Sequence, residues 1–243
     1  MKIREQITDF VKLTAVEKHS FFQTLLEFDQ LIFPNASVEN LYHYVHNPLL
    51  SSVYVVQYFL GDQLIGQNII PVLKLPQNGR PIFVVTSRAG ILEQYRHRNL
   101  TLKTAIRVVL RHRLRYPAIP LWFVTTLMQP KIYSLFASHS QFFYPRKGQE
   151  MPESHQAVLE LMTPYKTWTE ERGMGIYVAP TLMPKVTAEQ LIRLRRRQDD
   201  HYLFFIQNVP DYYEGRGLMC ICKLDFKTIF ETALNVLFGK TVH

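Results

Sequence analysis

Residues Pro81–Thr101 read PIFVVTSRAGILEQYRHRNLT, and no other stretch of the chain constrains its architecture as tightly. Pro81–Thr86 is nearly continuous in apolar residues, as a central strand covered on both faces is. Gly90 then interrupts the segment, which marks a bulge or a close approach of backbone. From Glu93 onward the chain is polar and cationic, and Thr101 leads directly into a helix. The first turn of a helix has unpaired N–H groups and the positive end of the helix dipole. Such a place binds phosphate, and Arg96, His97 and Arg98 lie in its approach.

Toward the N-terminus, Ser52–Leu60 is rich in β-branched and aromatic residues. Gly61-Asp62 supplies a turn, and Leu64–Leu73 forms the return strand. Pro76-Gln77-Asn78-Gly79 is a second turn signal. Before the hairpin, Thr14–Gln30 has helical spacing through Val16, Phe21, Leu25, Phe28 and Leu31, and Phe33-Pro34 ends it. Ser37 is the N-cap expected for a second helix, with Leu41, Tyr44 and Val45 inward and a stop at Asn47-Pro48. Lys2–Phe10 reads as an edge strand.

Toward the C-terminus, Thr101–Arg115 is a helix with an apolar stripe of Leu102, Ala105, Ile106, Val109, Leu110 and Leu114. Lys103, Arg107 and Arg111 form an adjoining row. Leu121–Met128 is a buried strand, and a short helix runs from Pro130 to about Ser140. Residues 148–200 read as mostly helical and polar, with stretches near Glu153–Met162 and Thr187–Gln198, the latter holding the basic run Arg193–Arg197. Tyr202–Gln207 and Leu218–Leu224 read as a closing strand pair. A last helix, Phe226–Phe238, places Ile229, Phe230, Ala233 and Leu237 on one face.

The 243 residues, 47% hydrophobic and 20% charged, are enough to bury a full core. No apolar run reaches the ~18 residues of a membrane span, and the opening MKIREQITDF is expected to be no secretory signal. Two cysteines, Cys220 and Cys222, fit a reducing, cytoplasmic setting better than a disulfide scaffold. The net charge of +8 points to an anionic partner without choosing among nucleic acid, acidic lipid and a phosphorylated cofactor. No histidines stand at metal-ligand spacing with a further ligand set, so no metal is expected. Neither the Rossmann nor the P-loop glycine fingerprint occurs.

The element order, with YRHRNLT, resembles the Gcn5-related N-acetyltransferases (the GNAT superfamily). In that family a bulged strand leads into a segment of the form Arg/Gln-x-x-Gly-x-Gly/Ala. Arg96 takes the first position here, and Asn99 and Thr101 take the glycine positions. Asparagine tolerates the left-handed backbone a glycine would supply, and the Thr101 hydroxyl can donate to phosphate or cap the helix. Gln129–Pro145 (QPKIYSLFASHSQFFYP) is similar to the family's helix after the fifth strand.

The resemblance implies a mixed α/β (α+β) fold, with a mostly antiparallel central sheet flanked by helices, a helical insertion and a closing strand pair. Residues 1–147 would form the acyl-coenzyme A-binding core, 148–200 the insertion, and 201–243 the completion of the same domain. It implies an acyltransferase moving an acetyl or acyl group from coenzyme A to an amine on a small molecule or protein. Ile91, Leu92, Arg96, His97, Arg98, Asn99, Leu100, Thr101, Gln129 and Phe136 would line the cofactor.

Phe136 stands where many family members have the tyrosine that protonates the leaving thiolate. Tyr133 and Tyr144 are the substitutes within reach. The fourth strand lacks the glutamate that several members use as base, leaving water, Glu93 or His139. The alternative is a non-catalytic protein on the same fold that binds acyl-coenzyme A or nucleic acid, the latter through Lys103, Arg107, Arg111 and Arg193–Arg197. Tyrosine is often buried with a satisfied hydroxyl, so Tyr133 has a packing reading beside the catalytic one.

Overall fold

A computed structural model describes residues 2–98, 100–163, 169–173, 175–182 and 199–241. It is mixed α/β, and the named strand pairs are antiparallel. The expected class is therefore observed. The chain forms two compact units, Met1–Leu121 and Trp122–His243. Among the described residues no helix is long and apolar enough to cross a membrane.

In the first unit the strands are β1 (Ile3–Asp9), β2 (Leu50–Leu60), β3 (Gln63–Gln77), β4 (Arg80–Val85) and β5 (Arg88–Ile91). They lie in the order β1-β2-β3-β4, with β5 also on β3. Asn78 and Gly79 both have positive φ, 51° and 74°, which gives the β3–β4 turn the twist a tight hairpin needs. Alternation of side chains sorts the two faces. Val53, Val55 and Ile69 pack on Leu25 of α1 (Ala15–Ile32) and Leu41 of α2 (Val38–His46). Tyr54 and Tyr58 face α3 (Leu100–Arg115): the Tyr58 hydroxyl donates to the Leu100 carbonyl at 3.4 Å.

Local signals set the helix starts. Thr14 and Glu17 form a reciprocal capping box before α1, and Ser37 Oγ accepts the Asn40 N–H before α2 at 3.0 Å. The expected buried faces need correction in phase. Val16 and Leu31 of α1 are exposed, while Phe22, Leu26 and Ile32 are buried. In α3, Leu110 and Leu114 face water and Thr104, Val108 and His112 face the sheet. The His112 Nδ1 lies 3.2 Å from the Tyr54 hydroxyl, and that bond draws a polar residue inward.

The second unit orders its strands β6-β10-β9-β8, with β7 also on β10. These are β6 (Leu121–Leu127), β7 (Phe143–Tyr144), β8 (Glu170–Glu171), β9 (Tyr177–Pro180) and β10 (Arg216–Lys223). Its helices are α4 (Pro130–His139), α5 (Glu153–Met162), α6 (Asp200–Asn208) and α7 (Phe226–Phe238). Three expectations are corrected here. Tyr202–Gln207 is helix α6, not a strand: Asp199 Oδ1 caps it at the Tyr202 N–H, 2.8 Å away, and Tyr202, Phe205 and Val209 are buried at helical spacing. Leu218–Leu224 is a strand as expected, but it pairs with β6, β7 and β9. Residues 148–182 hold two short strands besides α5. On α7, Ile229 is buried as expected while Phe230 and Leu237 are exposed. Thr187–Gln198 and the run Arg193–Arg197 lie outside the described residues.

Candidate functional site

β4 and β5 keep a single register against β3. Val72 pairs Val85 on β4, and Ile69 pairs Arg88 on β5 with no slip between them. The bulge implied by the resemblance is thus absent, and the break at Thr86–Ser87 has another cause. Thr86 donates to the Pro71 carbonyl at 3.2 Å, and Pro71 has no N–H to return. Gly90 marks a close approach instead: a Cβ there would stand 2.9 Å from the Ile32 side chain on α1. Opposite Ile91, Gly66 leaves the space its side chain fills. Arg88 is held on the α1 face by Asp29, which is almost wholly buried. Arg88 Nε donates to Asp29 Oδ1 at 2.7 Å and its Nη2 to Oδ2.

The hydrogen-bond parity of β5 defines an outward edge. Leu92 N–H donates to the Ile65 carbonyl at 2.9 Å, so Leu92 and Gly90 direct their polar groups to β3. Ala89 and Ile91 must then direct theirs the other way. Among the described residues of this unit no strand pairs with that side of β5. The edge continues through Glu93–Arg98, a turn of 3-10 helix, into α3. Arg96 folds back on it, with Nε donating to the Ile91 carbonyl at 3.0 Å. Partial burial lowers the Arg96 pKa and neighbouring Glu93 raises it, yet an arginine stays cationic in either case. Glu93 is exposed, and Leu100 and Thr101 are half-buried at the start of α3. Asn99 lies outside the described residues, as do the side chains of His97 and Arg98.

The other expected residues stand in the second unit. Gln129 is the N-cap of α4 without a side-chain cap bond, and its carbonyl accepts from Ile132 and Tyr133. Phe136 stacks on Phe143 at 5.2 Å between ring centres. Tyr133 is fully buried between Phe143 and Phe205, and its hydroxyl donates to the Pro145 carbonyl at 2.8 Å. Burial pushes its pKa well above the usual value. The packing reading of Tyr133 is the one its surroundings support. Tyr144 is half-buried, edge-on to the His155 ring at 5.0 Å. His139 turns its Nδ1 to the Leu135 carbonyl, 2.7 Å away, on its own helix. Among the described residues no group of His, Cys, Asp and Glu is placed to hold a metal ion.

No family model and no curated protein matches the sequence. Solved structures do. One is a conserved protein of unknown function from Enterococcus faecalis, described as a probable N-acyltransferase, with 11% identity and a TM-score of 0.40 over 58% of this chain. The match spans only 33% of that protein's length. Another is an acyl-CoA N-acyltransferase from Pseudomonas aeruginosa, with 11% identity and a TM-score of 0.36, over 60% of this chain and 93% of that one. A third is a predicted acetyltransferase with acetyl-CoA from Clostridium acetobutylicum, with 15% identity and a TM-score of 0.32, over 47% of this chain and 75% of that one. Likenesses this loose assign no residue of this chain a role.

Sequence reasoning missed two features of the β5 region. Pro71, in the middle of the return strand, was a readable signal for a broken ladder on its neighbour. The Asp29–Arg88 pair had none, because the partners are 59 residues apart and meet only when α1 crosses β5.

Proposed function

We propose that this chain is an N-acyltransferase that carries an acyl group from a coenzyme A thioester to an amine. The observation behind the proposal is the outward edge of β5, where Ala89 and Ile91 direct backbone groups away from β3, a few residues before Arg96 and the start of α3. An amide-bearing arm such as pantetheine pairs with a strand edge much as a peptide strand does. A pyrophosphate is met by a cation and by N–H groups at a helix start.

Each residue then has a proposed part. Ile91 and Leu92 border the pantetheine arm. Arg96 and the Thr101 hydroxyl hold the pyrophosphate, and the resemblance gives His97, Arg98, Asn99 and Leu100 to the same contact. The amine lone pair attacks the thioester carbonyl carbon, and the oxygen takes up negative charge that the Ile91 N–H stabilises. Collapse makes the C–N bond and breaks the C–S bond. Glu93, exposed at the turn, accepts the proton the amine loses. The leaving thiolate takes its proton from solvent, since the Tyr133 hydroxyl is committed to Pro145.

The test is thermal unfolding with and without acetyl-coenzyme A. Ligand at ~100 times its dissociation constant adds about 2.7 kcal/mol, seen as a raised midpoint. Arg96→Ala should abolish the shift while leaving a folded protein by circular dichroism. No shift with acetyl-, longer acyl- or free coenzyme A would remove the proposal. A second reading follows from α3, which carries Lys103, Arg107 and Arg111 on an exposed row and has no acidic residue. A non-catalytic nucleic-acid binder would use that row, and its affinity would fall steeply with salt.

A further inference from the structure

Arg88 stands at the start of β5, on the face that α1 covers, and its guanidinium is held from several sides. Nε and Nη2 donate to the two carboxylate oxygens of Asp29, which is 1% exposed. The guanidinium lies over the rings of Phe33 and Tyr44, 5.5 and 6.0 Å from their centres. The Tyr44 hydroxyl donates in turn to Thr86 Oγ1 at 3.5 Å. Nη1 makes no hydrogen bond among the described residues, and 13% of the side chain stays in water. The strand opens to solvent at this place: Ile82–Val85 are buried, Thr86, Ser87 and Arg88 are half-buried, and Ala89 is exposed. Stability alone does not account for the pair, because well-packed apolar residues in place of a buried ion pair are often as stable or more so. What the pair secures is the orientation of a planar guanidinium that has donors to spare.

We infer that Arg88 receives the carboxylate of the amine acceptor, which makes the acceptor an amino acid. The inference rests on the acyltransferase reading, in which the pyrophosphate lies at Arg96 and the start of α3. The arm then runs back along the β5 edge past Ile91 and Ala89, which turns its thioester end toward Arg88. Arg88 is ~10 Å from Ile91 along the strand, within the combined reach of an arginine side chain and an amino acid. The free Nη1 offers N–H donors of the kind a carboxylate accepts. Asp29 cancels the charge of Arg88, so the pair donates to a carboxylate without a positive field that would hold off the acceptor's own ammonium group. Asp29 is thereby a positioning residue, and Arg88 the one that touches substrate.

The test sets a panel of L-amino acids against their own α-amides as acceptors with acetyl-coenzyme A, following release of the coenzyme A thiol with a thiol reagent. The amides keep the amine and lose the carboxylate charge. Their kcat/KM should be ten- to a hundredfold lower, chiefly through KM, as loss of hydrogen bonds to a charged group predicts. Two variants separate this role from a structural one. Arg88→Lys leaves Asp29 a cation without the fork, and the double change Asp29→Leu with Arg88→Met replaces the ion pair by apolar side chains. Both should bring amino acid and amide level, and both should keep the thermal shift with acetyl-coenzyme A. A wild type that uses amides as well as amino acids overturns the inference and leaves the acyltransferase reading standing. So does a preference for amino acids that survives both variants, or thermal stabilisation by acetyl-coenzyme A without turnover of any amino acid. No thiol release together with no thermal shift overturns both readings.

Discussion

Lowering the pH from 7.5 to 5.0 should destabilise the first unit through His112. This side chain is 1% exposed, and burial, helped by Arg115, depresses its pKa to about 4 from an ordinary 6.5. A base with a depressed folded pKa is held neutral by the fold, so its contribution is complete above pH 6.5. It is lost as the pH falls toward 4, because the unfolded chain takes up a proton that the folded chain refuses. The gap between the two values corresponds to about 3 kcal/mol when fully expressed, and about 2 kcal/mol is lost by pH 5. Urea unfolding at the two pH values, in the wild type and in His112→Gln, isolates this contribution. The variant keeps a polar group for Tyr54 but has nothing to titrate, so the wild type should lose about 2 kcal/mol more than the variant does. Equal losses would refute the reasoning and would mean that His112 is protonated inside the fold without penalty. His155, also buried with a pKa lowered to about 4, makes the same prediction for the second unit.

Asp29→Asn should cost about 3–5 kcal/mol by leaving the Arg88 guanidinium without its buried carboxylate, and an unchanged urea midpoint would show that the pair is dispensable. Tyr133→Phe should lower stability by about 1 kcal/mol through loss of the bond to Pro145 and leave acyl transfer unchanged. A collapse of turnover in a folded Tyr133→Phe protein would return the proton-donor role to Tyr133. Gly217→Ala would place a methyl 2.7 Å from the Leu127 carbonyl and 2.6 Å from the Thr181 methyl. It should destabilise the protein by about 1–3 kcal/mol, visible as a lower thermal midpoint.

Much of the architecture was legible because it is written in short-range chemistry. Thr14 and Ser37 announce their helices through their own side-chain bonds, and Asn78-Gly79 supplies the positive φ that the β3–β4 turn demands. PIFVVT has the unbroken apolar run of a strand with no wet face. The cationic turn at Arg96 could likewise be located before a helix start. Tyr202–Gln207 was misread because YLFFIQ suits either element by composition. The Asp199 cap and the spacing of Tyr202, Phe205 and Val209 were the signals that distinguish them.

Other features exist only once distant segments meet. Which side of α1 or α3 is buried depends on what the sheet presents: Tyr54 draws His112 inward, and Leu114 is left in water. The outward edge of β5 arises from the alternation of bonds to β3, which no local pattern in Arg88–Ile91 encodes. Tyr133 is committed by a carbonyl 12 residues away, and Arg88 by a carboxylate 59 residues away. Periodicity states how apolar side chains are spaced along an element, and residue chemistry states what a turn or cap can bond. Neither says which groups will be left facing water or an open edge, because that is set by surfaces that come together only in the folded chain.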